Sequence, residues 1–229
     1  KKPAWTQTFL TKNIKGTVLL CLVFFVAIPG IIYLLSYIPF MLIPGPGHEV
    51  KDVLRYQSEM YGYHSKLVAT HPFSSWWYEW PIIRKPTWFY GGSDVLPGKA
   101  STIVTMGNPA IWWFGIVAVF WTAIVAIRKK DRNMLVVYAA MAFQYLPWIF
   151  VSRITWIYHF FSTVPFVILS IVYVFKHVIE KSRENRYIIY AYLGLVALLF
   201  LWFYPALSGL EVSRNFIESL KWFKKSWIF

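Results

Sequence analysis

The stretch PAIWWFGIVAVFWTAIVAI, Pro109 to Ile127, decides the fold: it carries no charge, follows Asn108, and is closed by Arg128, Lys129 and Lys130. It matches the roughly 18 apolar residues an α-helix needs to cross a bilayer. No water reaches backbone polar groups in lipid, so such a segment must satisfy its own hydrogen bonds as a helix. Four further apolar runs accompany it, Thr17 to Ile43, Met134 to Val151, Trp156 to His177 and Tyr187 to Tyr204. No alternating pattern supplies the strands of a barrel. The expected fold is all-α, a polytopic transmembrane helical bundle of five spans with interfacial helices.

Composition supports this. A 229-residue chain that is 58% hydrophobic, with mean hydropathy +0.49, is not a soluble domain. In a soluble chain the net charge of +13 would suggest nucleic acid. Here the bases sit in short segments between spans, and no nucleic-acid partner is expected. Lys1, Lys2, Lys12 and Lys15, Arg128, Lys129, Lys130 and Arg132, and Lys176, Lys181, Arg183 and Arg186 fall on one side, twelve of the 23 bases in short stretches. The positive-inside rule makes that side cytoplasmic and turns the loop after the first span outward or to a lumen. The single cysteine, Cys21, lies within the first run, which excludes a disulfide framework and a cysteine metal site. The chain opens Lys1-Lys2-Pro3 and shows no signal peptide, the expectation for a piece of a longer protein.

The organisation that follows has residues 1–43 as a cytoplasmic segment and first span, 44–108 as an external loop, 109–205 as a four-helix membrane region, and 206–229 as an external amphipathic tail. Pro29-Gly30 is positioned to kink the first span, and Pro44-Gly45-Pro46-Gly47 ends it. Residues 49–68 show helical spacing of apolar positions and predict a helix on the membrane surface. Pro72, Pro81 and Pro86 then predict an extended, irregular path past Tyr90. The tail, with Phe216, Ile217, Leu220, Trp222 and Phe223 among lysines, predicts a second interfacial helix.

Candidate chemistry concentrates in two places. The loop string HPFSSWWYEWPIIRKPTWFY, His71 to Tyr90, is rich in Trp, which suits either a membrane–water belt or a binding cleft. Arg153, in VSRITWIYHFF, is costly at membrane depth unless paired or at the interface. With a helix expected to begin near Thr155, Arg153, Tyr158 and His159 could hold an anion such as a lipid phosphate. Snorkelling of Arg153 and a helix–helix bond from His159 are the competing reading. His64, His71, Glu59 and Glu79 are the ionisable groups able to do acid–base work, and Arg84 and Lys85 could bind anions. The spacing of His64 and His71 does not build a zinc site, and no metal or cofactor is expected.

The strings MYGYHSKLVATHPFSSWWYEWPIIRKPTWFY, Met60 to Tyr90, and FQYLPWIFVSRITWIYHFFSTVPF, Phe143 to Phe166, resemble the C-terminal membrane region of the protein O-mannosyltransferase family, especially its bacterial members. That resemblance implies part of a C-type glycosyltransferase fold with its site at the outer or luminal surface. It implies a polyprenyl or dolichyl phosphate mannose donor, a serine- or threonine-containing acceptor protein, a lipid groove, and partnership with N-terminal helices of the same enzyme. In that picture Arg153, Tyr158 and His159 hold the donor phosphate, while His71, Trp76, Trp77 and Arg84 shape the donor or acceptor cleft. The family's acidic catalytic pair lies in an N-terminal loop that nothing here matches, so no catalytic base is assigned. A non-catalytic membrane scaffold, a small transporter, and a transferase of another sugar or acceptor are the alternatives; transport would call for ionisable groups in several spans, which are sparse.

Overall fold

The computed structural model describes residues 13–229, so Lys1, Lys2 and Lys12 of the orientation argument lie outside the described residues. The chain forms two compact units, residues 1–66 and 67–229. In the first, α1 (Ile14–Leu22) passes through a π-turn, Val23–Ala27, into α2 (Ile28–Leu35), and α3 (Ile38–Met41) follows. Pro29 has no N–H to donate back along the helix, and the π-turn just before it absorbs that mismatch. The helix expected over residues 49–68 appears as α4, Val50–Lys66. Arg55 bridges Asp52 at 3.1 Å and Glu59 at 3.3 Å one turn either side, and Gln57 links Tyr33 and Tyr37 of the preceding segment to α4.

The second unit opens with the aromatic loop, which is less irregular than its prolines predict. Thr87–Gly91 (β1) pairs antiparallel with Thr102–Thr105 (β3), and Lys99–Ala100 (β2) pairs with Val212–Ser213 (β4). The β1–β3 register shifts between Trp88 and Tyr90, leaving Phe89 in a bulge. The helices are α5 (Pro109–Lys129), α6 (Arg132–Tyr145), α7 (Val164–Lys181) and α8 (Arg186–Ser208), with a short α9 (Arg214–Leu220). Asn108 caps α5 through the Ala110 N–H, and Pro109 costs nothing in the first turn. Asp131 caps α6 through the Asn133 and Met134 N–H groups. Gly209, at φ 77°, ends α8 in the left-handed conformation.

Among the described residues, four helical stretches are long and apolar enough to cross a membrane: Ile14–Met41, Pro109–Lys129, Arg132–Phe150 and Arg186–Ser208. The fifth expected run forms α7, whose last turns carry Lys176, Glu180 and Lys181. The α7 helix does not begin near Thr155. Ile157–Ser162 is a 3-10 segment, and the α-helix starts at Val164 with Pro165 in its first turn, where the missing N–H costs no hydrogen bond.

The core runs from Trp112 and Ala118 of α5 to Phe160, Val167 and Ile171, and on to Phe203 and Ala206 of α8. Gly115 sets the α5–α7 approach, since a Cβ there would collide with Val167. From sequence the tail is expected to form a second interfacial helix. Only Arg214–Leu220 is helical, and Ile217, Leu220 and Trp227 are buried in this same core. The Trp227 indole donates to the Ile83 carbonyl at 2.8 Å, so the tail packs on the aromatic loop.

Candidate functional site

The site grows from two hydrogen bonds between Ser75 and Thr155. The Ser75 N–H donates to the Thr155 carbonyl at 2.9 Å, and the Thr155 hydroxyl returns a bond to the Ser75 carbonyl at 2.7 Å. These pin the loop to the segment between α6 and α7. The Trp80 indole also donates to the Ser75 carbonyl, and its ring is fully buried. Beyond Trp80 the chain turns tightly, with Ile83 at φ 54°, a strained conformation for a β-branched residue. The Trp227 bond and the burial of Ile83 hold that turn in place.

Around this joint the rings converge. His159 packs against Trp148 (4.4 Å between centroids), Tyr158 (4.6 Å), Trp80 (5.9 Å) and Trp156 (6.2 Å). Trp156 stacks on Tyr158 and meets the ring of His71 at 5.9 Å. Phe89, at the bulge, also stacks on Tyr158 at 6.3 Å. Arg153 is half-buried and acts on His159: burial first, and the guanidinium charge second, hold the imidazole below the ordinary histidine range. His159 lies ahead of α7 and is held neutral near pH 7. The result is a cation beside a neutral imidazole, set among aromatic faces.

Arg153, Tyr158 and His159 are thus near one another, and His71, expected in the cleft, joins them through Trp156. Trp76 stands exposed at the loop's turn, its N–H donating to Glu79 Oε2 at 2.8 Å. Trp77 faces elsewhere: its carbonyl accepts from the Tyr145 hydroxyl at 2.7 Å, and its ring lines an apolar groove of about 320 Å³ with Ile82, Trp112, Tyr145, Phe160 and Thr163. Arg84 is engaged as a brace, its Nε 3.0 Å from Glu79 Oε1. Glu79 has both oxygens occupied and is a fastener of the loop rather than a free base. Glu59 sits on α4, paired with Arg55. Trp148, Trp156 and Phe89 belong to the cluster although the sequence did not single them out as site residues. Their signal was the density of aromatics around Arg153 for Trp148 and Trp156 and in the loop string for Phe89.

The fold and this site define a polytopic membrane protein region with an aromatic cluster holding a cation, near an apolar groove. A family profile described as the C-terminal four TMM region of protein-O-mannosyltransferase matches residues 49–227, and the chain belongs to that family. It is similar to the polyprenol-phosphate-mannose–protein mannosyltransferase of Mycolicibacterium smegmatis, 25% identical over 82% of this chain and 43% of that protein. It is also similar to the Mycobacterium tuberculosis protein of the same name, 23% identical over 72% of this chain and 35% of the relative. The chain therefore spans less than half the length of these curated relatives. The Saccharomyces cerevisiae protein O-mannosyltransferase Pmt1–Pmt2 complex bound to the sugar donor shares the fold, with a TM-score of 0.65 at 15% identity, over 82% of this chain and 28% of that one.

Proposed function

We propose that this chain is the C-terminal portion of a membrane glycosyltransferase that moves mannose from a polyprenyl phosphate donor to serine or threonine hydroxyls of proteins. The observation that carries the reading is the half-buried Arg153 beside neutral His159, next to a groove of apolar and aromatic walls. In the transfer, the bond between the sugar's anomeric carbon and the phosphate oxygen breaks as the acceptor oxygen bonds that carbon from the opposite face. The hydroxyl proton passes to a base supplied by N-terminal helices of the same enzyme. Negative charge builds on the departing phosphate, where a fixed guanidinium lowers the barrier. Neutral His159 with Tyr158 offers further donors, and the groove beneath Trp77 takes the first isoprene units. His71, Trp156 and Phe89 border the space left for sugar or acceptor. The site faces outward, across the plasma membrane of a bacterium, opposite the basic segments.

The test is mannose transfer from labelled polyprenyl phosphate mannose to a serine- and threonine-rich peptide by the complete polypeptide in lipid. Arg153→Ala is expected to weaken donor binding and lower turnover by about tenfold or more, with Arg153→Lys recovering part of it. Unchanged donor affinity and turnover in Arg153→Ala would remove the phosphate role, and absence of both transfer and donor binding in the unaltered protein would favour a scaffold.

A further inference from the structure

The opposite, basic end of the helices holds an arrangement that this chemistry does not use. Lys129 ends α5, and His177 and Lys181 occupy the last turns of α7. Lys129 Nζ lies 3.0 Å from His177 Nε2, and His177 Nδ1 lies 3.0 Å from the Tyr173 carbonyl oxygen. A carbonyl only accepts, so Nδ1 carries the ring proton and Nε2 accepts from the ammonium. The remaining N–H groups of Lys129 are left for another acceptor. The nearby acids are already engaged: Asp131 caps α6 and accepts from the Tyr173 hydroxyl at 2.9 Å, and Glu180 pairs with Lys176 at 3.9 Å. Among the described residues neither Lys129 nor Lys181 forms an ion pair.

A groove of about 300 Å³ lies between α5 and α7, lined by Phe114, Val117, Trp121, Val174, His177 and Lys181, and Lys129 meets it through His177. From Phe114 to Trp121 the groove follows α5 for roughly 10 Å at about 1.5 Å per residue, which covers the greater part of one leaflet of a hydrocarbon core about 30 Å thick. An apolar groove of that length, with lysines at its basic end that form no ion pair among the described residues, has the form of a site for the upper part of a phospholipid.

We propose that this groove binds an anionic phospholipid of the leaflet at the basic face, with its phosphate between Lys129 and Lys181 and an acyl chain along Val117 and Trp121. Charge selects the occupant: a zwitterionic lipid brings its own ammonium against the lysines, and an apolar protein helix would cover them without neutralising them. The site stands at the far end of α7 from His159, so it is independent of the donor reading.

Native mass spectrometry of the full chain in detergent tests this with dioleoyl phosphatidylglycerol, dioleoyl phosphatidylcholine and polyprenyl phosphate. Phosphatidylglycerol is expected to bind about tenfold more tightly than phosphatidylcholine, and Lys129→Gln/Lys181→Gln is expected to abolish that preference. Lys224→Gln/Lys225→Gln, with the same change in charge, should keep it. Equal affinities in the unaltered protein, an undiminished preference in Lys129→Gln/Lys181→Gln, or loss of the preference in both pairs would overturn the proposal. Displacement of phosphatidylglycerol by equimolar polyprenyl phosphate would overturn it too, assigning the groove to the donor lipid.

Discussion

His159 shows how much one residue's role depends on its surroundings. Burial and the Arg153 charge depress its pKa, so the unfolded chain takes up the proton first as pH falls. The stability contribution is whole above the ordinary histidine value of about 6.5 and is lost as pH drops through it toward the folded value. The denaturation midpoint of the unaltered protein should therefore fall between about pH 7.5 and 5.5, and His159→Gln should flatten that slope. An NMR titration that put His159 at or above the ordinary value would refute this. Glu79 was open to an acid–base role by position alone, yet its oxygens bind the Trp76 N–H and Arg84, with a side chain only 10% exposed. Glu79→Gln is expected to cost about 1 kcal/mol, read as a lowered unfolding midpoint. If that midpoint stayed put, the brace would be without consequence.

At the scale of elements, caps and prolines decide where helices start. Asp131 lies in the turn between α5 and α6, and its carboxylate is held below the usual range by the Tyr173 hydroxyl first and the Met134 N–H next. Asp131→Ala removes the cap and should destabilise the protein by about 1 kcal/mol, with Asp131→Asn retaining most of the stability; equal stability of the Ala and unaltered proteins would contradict this. Apolar periodicity marked the helices well but misjudged the start of α7. Hydropathy cannot separate a 3-10 segment from an α-helix, whereas Pro165 carried the signal for a start at Val164. The anion reading at a helix start near Thr155 falls with that shift, and the phosphate proposal rests on Arg153 and His159 instead. The β1–β3 pair was hidden for another reason: Thr87–Gly91 gains strand geometry only by pairing with a partner more than ten residues away.

Across the whole second unit, the tail is structural. Trp227 is fully buried, meets Phe203 and Trp222, and bonds the strained turn at Ile83. Trp227→Ala should cost about 3 kcal/mol and should loosen the aromatic loop, seen as faster amide exchange at Ile83 and Arg84. Wild-type exchange there, with stability preserved, would show that the tail does not support the site.

The apolar runs by themselves determined a helical membrane protein, because lipid leaves the backbone few alternatives. The strings around His71 and Arg153 marked the family and the two segments that meet. Only the tertiary structure decided which of their side chains share a space. The His71–Trp156 ring contact and the Ser75–Thr155 bonds depend on distances between segments about eighty residues apart. Local sequence holds no record of those distances, which arise when the aromatic loop, the α6–α7 corner and the tail close on a common core.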